Sequence, residues 1–210
     1  MSVGPVALAM TGASGAQYGV RLLECLLQAR VPAYLMLSKP AQVVIGTETD
    51  LGLPGRTAEI RRFFLERFQA EESLLQVYGK EEWTAPVASG SAAPRAMVVC
   101  PCTTGTLAAI SAGASDNLIE RAADVVLKEQ RRLILVIRET PFSVIHLENM
   151  LRLARLGVCI LPANPGFYHR PATVAELVDF IVARVLDQLG VEHRLTARWG
   201  LAGEDSSAPR

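Results

Sequence analysis

The sequence predicts an α/β fold, a doubly wound and mainly parallel sheet within one domain. Three observations predict it. Short β-rich runs alternate with longer helical patterns, the pattern a wound parallel sheet leaves in a chain. The run Leu133-Ile-Leu-Val-Ile137 is apolar at every position, as expected for a central parallel strand covered on both faces. The length of 210 residues suits one α/β domain, taken as 1–195 with a tail over 196–210.

Each element has a local reason. Val6-Ala-Leu-Ala-Met10 is a buried strand cut short by Thr11-Gly12-Ala13-Ser14-Gly15, and residues 16–28 then carry an amphipathic helical pattern. A second strand over 33–37 leads to helices over 42–49 and 57–68, and a third strand follows over 74–78. Residues 79–94 contain EEWTAPVASGSAAP and are too long for a simple connection; loops of that length in compact domains are usually functional or disordered. The fourth strand, 96–100, runs into Pro101-Cys-Thr-Thr-Gly-Thr106 and a helix over 106–112. A helix over 118–128, strand 133–137, helix 144–156, strand 158–161 and helix 174–189 complete the alternation. From Gly200 onward the composition reads as a disordered tail.

Composition narrows the function. Lys and Arg number 21, as do Asp and Glu, so no long-range field gathers nucleic acid or an anionic membrane. Neither partner is expected, and any bound anion must be held by local groups. Half the residues are hydrophobic and a fifth are charged, which points to buried subunit surface and a homo-oligomer. Residues 96–115 carry no charge, but Pro101, two glycines and five Ser/Thr make them a strand, turn and helix instead of a membrane span. Met1-Ser-Val-Gly-Pro5 has no basic leader segment, and the four cysteines lack the spacing of a disulfide framework, so a cytoplasmic protein is expected. Cys100-Pro-Cys102 has no second ligand pair, and His146-Leu-Glu148 lacks the cysteine partners of a zinc deaminase site. No metal is expected.

In a wound parallel sheet, ligands collect beyond the carboxyl ends of the strands. Gly12 and Gly15 let backbone approach a ligand, the helix start offers free N–H groups, and Ser14 adds a hydroxyl at or near the N-cap. The alternative is a tight turn with nothing bound, because the spacing is not GxGxxG. Thr103, Thr104, Gly105 and Thr106 repeat the design at the fourth strand, and two such turns point to a phosphate-bearing nucleotide. Ser38, closing the second strand, is a third contact. Arg138 and Glu139 end the 133–137 strand and either face the crevice or form a surface pair. Lys128 either reaches a ligand or pairs with Glu129, and Arg121 stands beside Glu120 and Asp124. Glu48 sits at a helix end, where the dipole disfavours a carboxylate. Tyr168 lies in an ordered-looking loop, and Arg184 is surface by default. Three histidines yield no convincing Ser/His/Asp set, so carboxylates, cations and a tyrosine around phosphate-binding turns suit reactions of phosphate esters.

Taken together, TGASGAQYGVRLL, ASGS, CPCTTGT, NLIERAADVVLKE, RETPFS, HLENMLRLA and PGFYHRP, in order from Val6 to Leu189, resemble the UbiX-type flavin prenyltransferases. These belong to a wider group of homo-oligomeric flavoproteins that includes cysteine decarboxylases. The resemblance implies an FMN-binding, Rossmann-like or flavodoxin-like fold, a dodecamer, and transfer of a dimethylallyl group from dimethylallyl monophosphate to N5 and C6 of reduced FMN, without metal. The product implied is prenylated FMN for a UbiD-type decarboxylase, in ubiquinone biosynthesis or related aromatic acid decarboxylation.

Residue by residue, the resemblance implies FMN contacts at Gly12, Ala13, Ser14 (near N5), Ser38, Thr103, Thr104, Gly105, Thr106 and Arg138. It implies that Tyr168, Arg184 and Lys128 grip the donor phosphate, with Ser89 and Gly90 beside it and Arg121 in support. Glu139 would donate a proton to the departing phosphate, Glu48 would manage protons as bonds form, and Trp83 would offer its π face to the allylic cation. The 79–94 loop would wall out water, contributed across a subunit boundary. Two positions depart from the family pattern: Thr103 where Ser is expected, which keeps a hydroxyl, and Gln130 where Arg is usual, at the surface. Two rivals remain. A cysteine decarboxylase should want a histidine near the first turn, where Ala16-Gln17-Tyr18 stands; a non-enzymatic FMN carrier would not need Glu48, Lys128, Glu139, Tyr168 and Arg184 together.

Overall fold

The structure, a computed structural model, describes residues 4–196. Six strands form one all-parallel sheet in the order β3-β2-β1-β4-β5-β6, with β1 at Val6–Met10, β2 at Ala33–Leu37, β3 at Leu75–Tyr78, β4 at Ala96–Cys102, β5 at Arg132–Ile137 and β6 at Cys159–Pro162. The helices among the described residues are α1 (Ala16–Gln28), α2 (Lys39–Glu48), α3 (Thr57–Phe68), α4 (Thr104–Ala112), α5 (Leu118–Lys128), α6 (Val144–Arg155) and α7 (Val174–Leu189). Nearly all of the tail expected over 196–210 lies outside the described residues.

The strand alternation sorts the core into two layers. Val6, Leu8 and Met10 of β1, with Val98 and Cys100 of β4, meet the apolar faces of α1, α3 and α7. Ala7 and Ala9, with Met97, Val99 and Leu135, face α4, α5 and the chain near Val87. This is the period-2 consequence of covering both faces of a parallel sheet. Close approach of α1 requires Gly19, because a Cβ there would lie 2.3 Å from the Cys100 carbonyl oxygen.

Two helices begin earlier than the apolar periodicity predicts, and caps explain both. Ser38 Oγ accepts from Ala41 N at 3.1 Å and Pro40 occupies the first turn, so α2 starts at Lys39 instead of residue 42. Thr103 Oγ1 accepts from Thr106 N at 3.0 Å, starting α4 at Thr104 instead of 106. The 133–137 strand is interior but not central, one position in from the β6 edge. The 79–94 loop is ordered by two short 3-10 turns, Pro86–Ala88 and Gly90–Ala92, with Val87 fully buried. Helix α6 stands apart. Leu153 is its buried residue, whereas Val144, Ile145, Leu147 and Leu151, with Leu156 just beyond, are more than half exposed.

Candidate active site

The strand order reverses between β1 and β4, whose crossovers leave in opposite directions, and a crevice opens beyond their carboxyl ends. Thr11, 4% exposed, joins the two strand ends: its Oγ1 donates to the Pro101 carbonyl at 2.8 Å and accepts from Thr103 N at 2.9 Å. Gly12 follows, packed so closely on α2 that a Cβ would stand 2.4 Å from Pro40 Cβ. Gly15 has φ of 102°, a left-handed conformation, and is the N-cap of α1.

Here the structure corrects an expectation. Ser14 does not cap α1, and the first N–H groups of that helix are not free. Glu48, the last residue of α2, reaches across, and its Oε2 accepts from Gly15 N at 2.8 Å and Ala16 N at 3.0 Å. A carboxylate misplaced at its own helix end is well placed at the positive end of another. Burial raises the Glu48 pKa, but the Ser14 hydroxyl, the two backbone N–H groups and the Arg138 charge outweigh it, so the carboxyl is held below its ordinary range. Arg138 is therefore close to Glu48. Its Nε is sealed from solvent and has no hydrogen-bond partner among the described residues. The same charge opposes the rise that burial and the neighbouring Cys100 impose on the Tyr18 phenol.

A cavity of about 230 Å³ opens at the starts of α2, α4 and α5, and its walls include Thr11, Ser38, Thr106, Lys39 and Lys80, with Glu120 the one carboxylate. Hydroxyls, two cations and the starts of α2 and α4 suit a phosphate ester. Larger grooves of about 540 and 680 Å³ run along α3 and between α1 and α7, and are lined by none of the candidate site residues. Glu139 is anchored at the β5 end, accepting from Thr140 N at 3.1 Å and from the Thr104 hydroxyl at 3.4 Å. A flavin mononucleotide fits this donor set: the phosphate has the hydroxyl cradle, and the unpartnered Arg138 Nε offers a donor to a ring heteroatom.

The residues expected at the donor phosphate do not all join this cluster. Lys128 ends α5 just before β5 begins, whereas Arg138 follows the end of β5. Six residues at about 3.3 Å each put them about 20 Å apart along the strand. Lys128 Nζ pairs with Glu129 at 2.6 Å, and a Cβ on Gly90 would lie 2.8 Å from that nitrogen, so the loop touches Lys128. Arg121 fixes the loop: its Nε donates to the Ala88 carbonyl at 3.1 Å while Asp124 holds Nη1 at 2.8 Å. Ser89 and Ser91 share a hydrogen bond of 3.0 Å. Trp83 is 46% exposed, between β3 and the first 3-10 turn.

Tyr168 and Arg184 form a third group. His169 stacks on Phe180, with ring centroids 5.6 Å apart and planes 3° apart, seating the Tyr168 loop on α7. Arg184 lies one helical turn beyond Phe180, on the same face. Tyr168 itself is 84% exposed. Thus one chain brings together Gly12, Ala13, Ser14, Ser38, Glu48, Thr103–Thr106, Arg138 and Glu139, and holds Lys128 in a second place and Tyr168 with Arg184 in a third.

Thr11, Pro40, Lys39 and Lys80 also stand at the crevice or its cavity. A threonine directly after a buried strand was the available signal for Thr11; the two lysines gave none. The buried thiols of Cys100 and Cys102 are pushed up, the latter to about 12, and behave as small apolar groups. His146 joins Ser143 in a capping box at α6. Among the described residues there is no cluster of three His, Cys, Asp or Glu side chains placed for a metal, and no helix long and apolar enough to cross a membrane.

The model of the Flavoprotein family matches residues 2–186. The flavin prenyltransferase UbiX of Pseudomonas aeruginosa is 57% identical over 195 residues, 93% of each chain. That of Halalkalibacterium halodurans is 47% identical over 191 residues, 91% of each. Among solved structures, a dodecameric FMN-dependent UbiX-like decarboxylase from Escherichia coli O157:H7 superposes with a TM-score of 0.81 at 43% identity, covering 93% of this chain and 98% of its own. A UbiX in complex with FMN and dimethylallyl pyrophosphate gives 0.83 at 40% identity, covering 94% and 97%. More distant neighbours below 25% identity, among them a cysteine decarboxylase of thioviridamide biosynthesis, share the fold. With a matching family model and relatives of this identity along nearly its whole length, the chain belongs to the flavoprotein family and, within it, to the UbiX-type flavin prenyltransferases.

Proposed function

We propose that this protein joins a dimethylallyl group from dimethylallyl monophosphate to N5 and C6 of reduced FMN, releasing phosphate and yielding prenylated FMN for a UbiD-type decarboxylase. The observation that carries the proposal is the convergence of Ser14, Glu48 and the unpartnered Arg138 at the carboxyl ends of the strands, the sheet edge where Thr11 and Thr103 also lie. Reduced FMN supplies the electron-rich ring that accepts the allyl carbon. Gly12, Ala13, Ser38 and the Thr103–Thr106 turn hold it, and Arg138 fixes the ring.

The chain's own groups then do electrostatic work. Tyr168, Arg184 and Lys128 stabilise the leaving phosphate as the allylic C–O bond breaks with its electron pair, and Ser89, Gly90 and Arg121 position that grip. Glu139 gives a proton to the departing phosphate. Glu48, held anionic by four neighbours, carries no proton and is the acceptor at hand when a C–N bond replaces N–H; the same neighbours make it a weak base that passes the proton on readily. The Trp83 face steadies the allylic cation, and the loop keeps water from it.

Because Lys128 and Arg138 sit at opposite ends of β5, the complete site draws on neighbouring subunits of a homo-oligomer, a dodecamer as in the E. coli relative. The exposed apolar side chains of α6 supply surface for that assembly. The work is placed in the cytoplasm, with no metal, nucleic acid or membrane partner. Anaerobic incubation with FMN, dithionite and dimethylallyl monophosphate should give a flavin heavier by one prenyl unit in mass spectrometry. Unmodified flavin after full reduction refutes the proposal. A thiol-enolate product from a C-terminal-cysteine peptide would instead support the decarboxylase reading.

A further inference from the structure

Helix α7 ends in a contact that the reaction described above leaves unused. Gly190 closes the helix in a left-handed conformation at φ 65°, Val191 N donates back to the Leu186 carbonyl, and the chain folds against the helix end. This return places His193, whose side chain is 7% exposed, on Asp187: Nε2 lies 3.2 Å from Oδ1. The other oxygen, Oδ2, holds Arg184 Nη1 at 2.7 Å. Leu195 N donates to His193 Nδ1 at 3.4 Å. Nδ1 is therefore the acceptor, so the ring hydrogen is on Nε2 and points at the carboxylate.

An exposed i,i+3 ion pair alone orders little. This one differs because a buried imidazole, itself oriented by backbone, fixes the second carboxylate oxygen, the arrangement that orients ligating side chains in other polar sites. With Nη1 engaged, the Nε–Nη2 edge of Arg184 remains for a two-point grip on a phosphate. We propose that Asp187, locked by His193, is a positioning residue that presents the Arg184 guanidinium to the phosphate of the prenyl donor. The proposal rests on the reading that Arg184 binds that phosphate.

Steady-state prenyl transfer by the FMN-loaded protein, under reducing anaerobic conditions and across dimethylallyl monophosphate concentrations, tests it. Asp187→Asn should raise KM for the donor about tenfold, with kcat within about twofold and FMN affinity unchanged. His193→Ala should raise KM about threefold, and His193→Gln, which restores an N–H donor, should recover most of that. In an Arg184→Ala background, Asp187→Asn should change KM no further. If Arg184→Ala raises KM but Asp187→Asn does not, or if the two effects multiply, the positioning role is wrong. If Arg184→Ala itself leaves KM unmoved, the underlying assignment of Arg184 falls and the proposal falls with it. A loss of thermal stability in Asp187→Asn with unchanged KM overturns the proposal in favour of a structural strut.

Discussion

Replacing Glu48 by Gln removes a charge while keeping an acceptor oxygen in nearly the same place. The carboxylate accepts two backbone N–H groups at 2.8 and 3.0 Å at the start of α1, and faces Arg138. Removing a side-chain N-cap costs about 0.5–2 kcal/mol, and the charge at a helix N-terminus contributes about 0.3–1 kcal/mol. Gln retains part of the first and loses the second, so a loss of about 1 kcal/mol is expected for Glu48→Gln and about 2 kcal/mol for Glu48→Ala. For a chain of this size, 1 kcal/mol corresponds to about 2–4 °C in Tm.

The difference has a defined pH dependence. The folded-state pKa of Glu48 lies below its ordinary value of 4.5. Its contribution is therefore fully present above that ordinary value and is lost as pH falls through the folded pKa, where the wild-type carboxyl protonates and comes to resemble Gln. Thermal unfolding of wild type and Glu48→Gln should thus differ at pH 7 and converge in acid. Equal Tm values at pH 7, or a gap that persists unchanged at strongly acid pH, would show that Glu48 does not act as a charged cap.

Gly12→Ala would place a Cβ 2.4 Å from Pro40 Cβ, and the resulting overpacking should cost about 1–3 kcal/mol in thermal unfolding and weaken FMN binding in a titration. Arg121→Ala releases the Ala88 carbonyl, so amide exchange over 85–92 should accelerate while FMN affinity is retained. Lys128→Ala and Arg184→Ala should each show little activity alone at donor concentrations well below their raised KM. Co-expressed, they should regain about one quarter of wild-type activity if the two residues of a site come from different subunits, and none if they come from the same one.

The fold was legible because its signals are local. Alternating apolar strands and amphipathic helices announced the wound sheet, and the small-residue turns after the first and fourth strands marked its crevice. What escaped the sequence needed side chains far apart in the chain. Nothing near Glu48 says that its carboxylate caps a helix beginning at residue 16; its oddity at a C-terminus was visible, its destination was not. Ser14 suits an N-cap by residue type, since hydroxyl residues commonly serve there, but a better acceptor arrives from α2 and leaves the cap position to Gly15. The late start given to α2 and α4 has one cause: apolar periodicity locates a helix interior, whereas capping hydroxyls set its first residue.

The dispersion of the cations follows from the topology. In a parallel sheet every strand ends at the same edge, and every crossover helix returns its last turn to the opposite one. A residue closing such a helix, like Lys128, cannot meet a residue closing the next strand, like Arg138, within one chain. On the proposed chemistry these charges must act on one prenyl phosphate lying against one flavin, so the opposite edge of another subunit has to be brought to the crevice. Such an arrangement also shelters the reaction. An allylic cation captured by water yields only an alcohol, and a crevice on a single sheet edge is open to solvent. A neighbour that contributes Lys128 brings Gly90 and the loop braced by Arg121 with it, because these are already in contact. The same docking that completes the anion grip therefore delivers the wall that excludes water, and neither can be gained without the other.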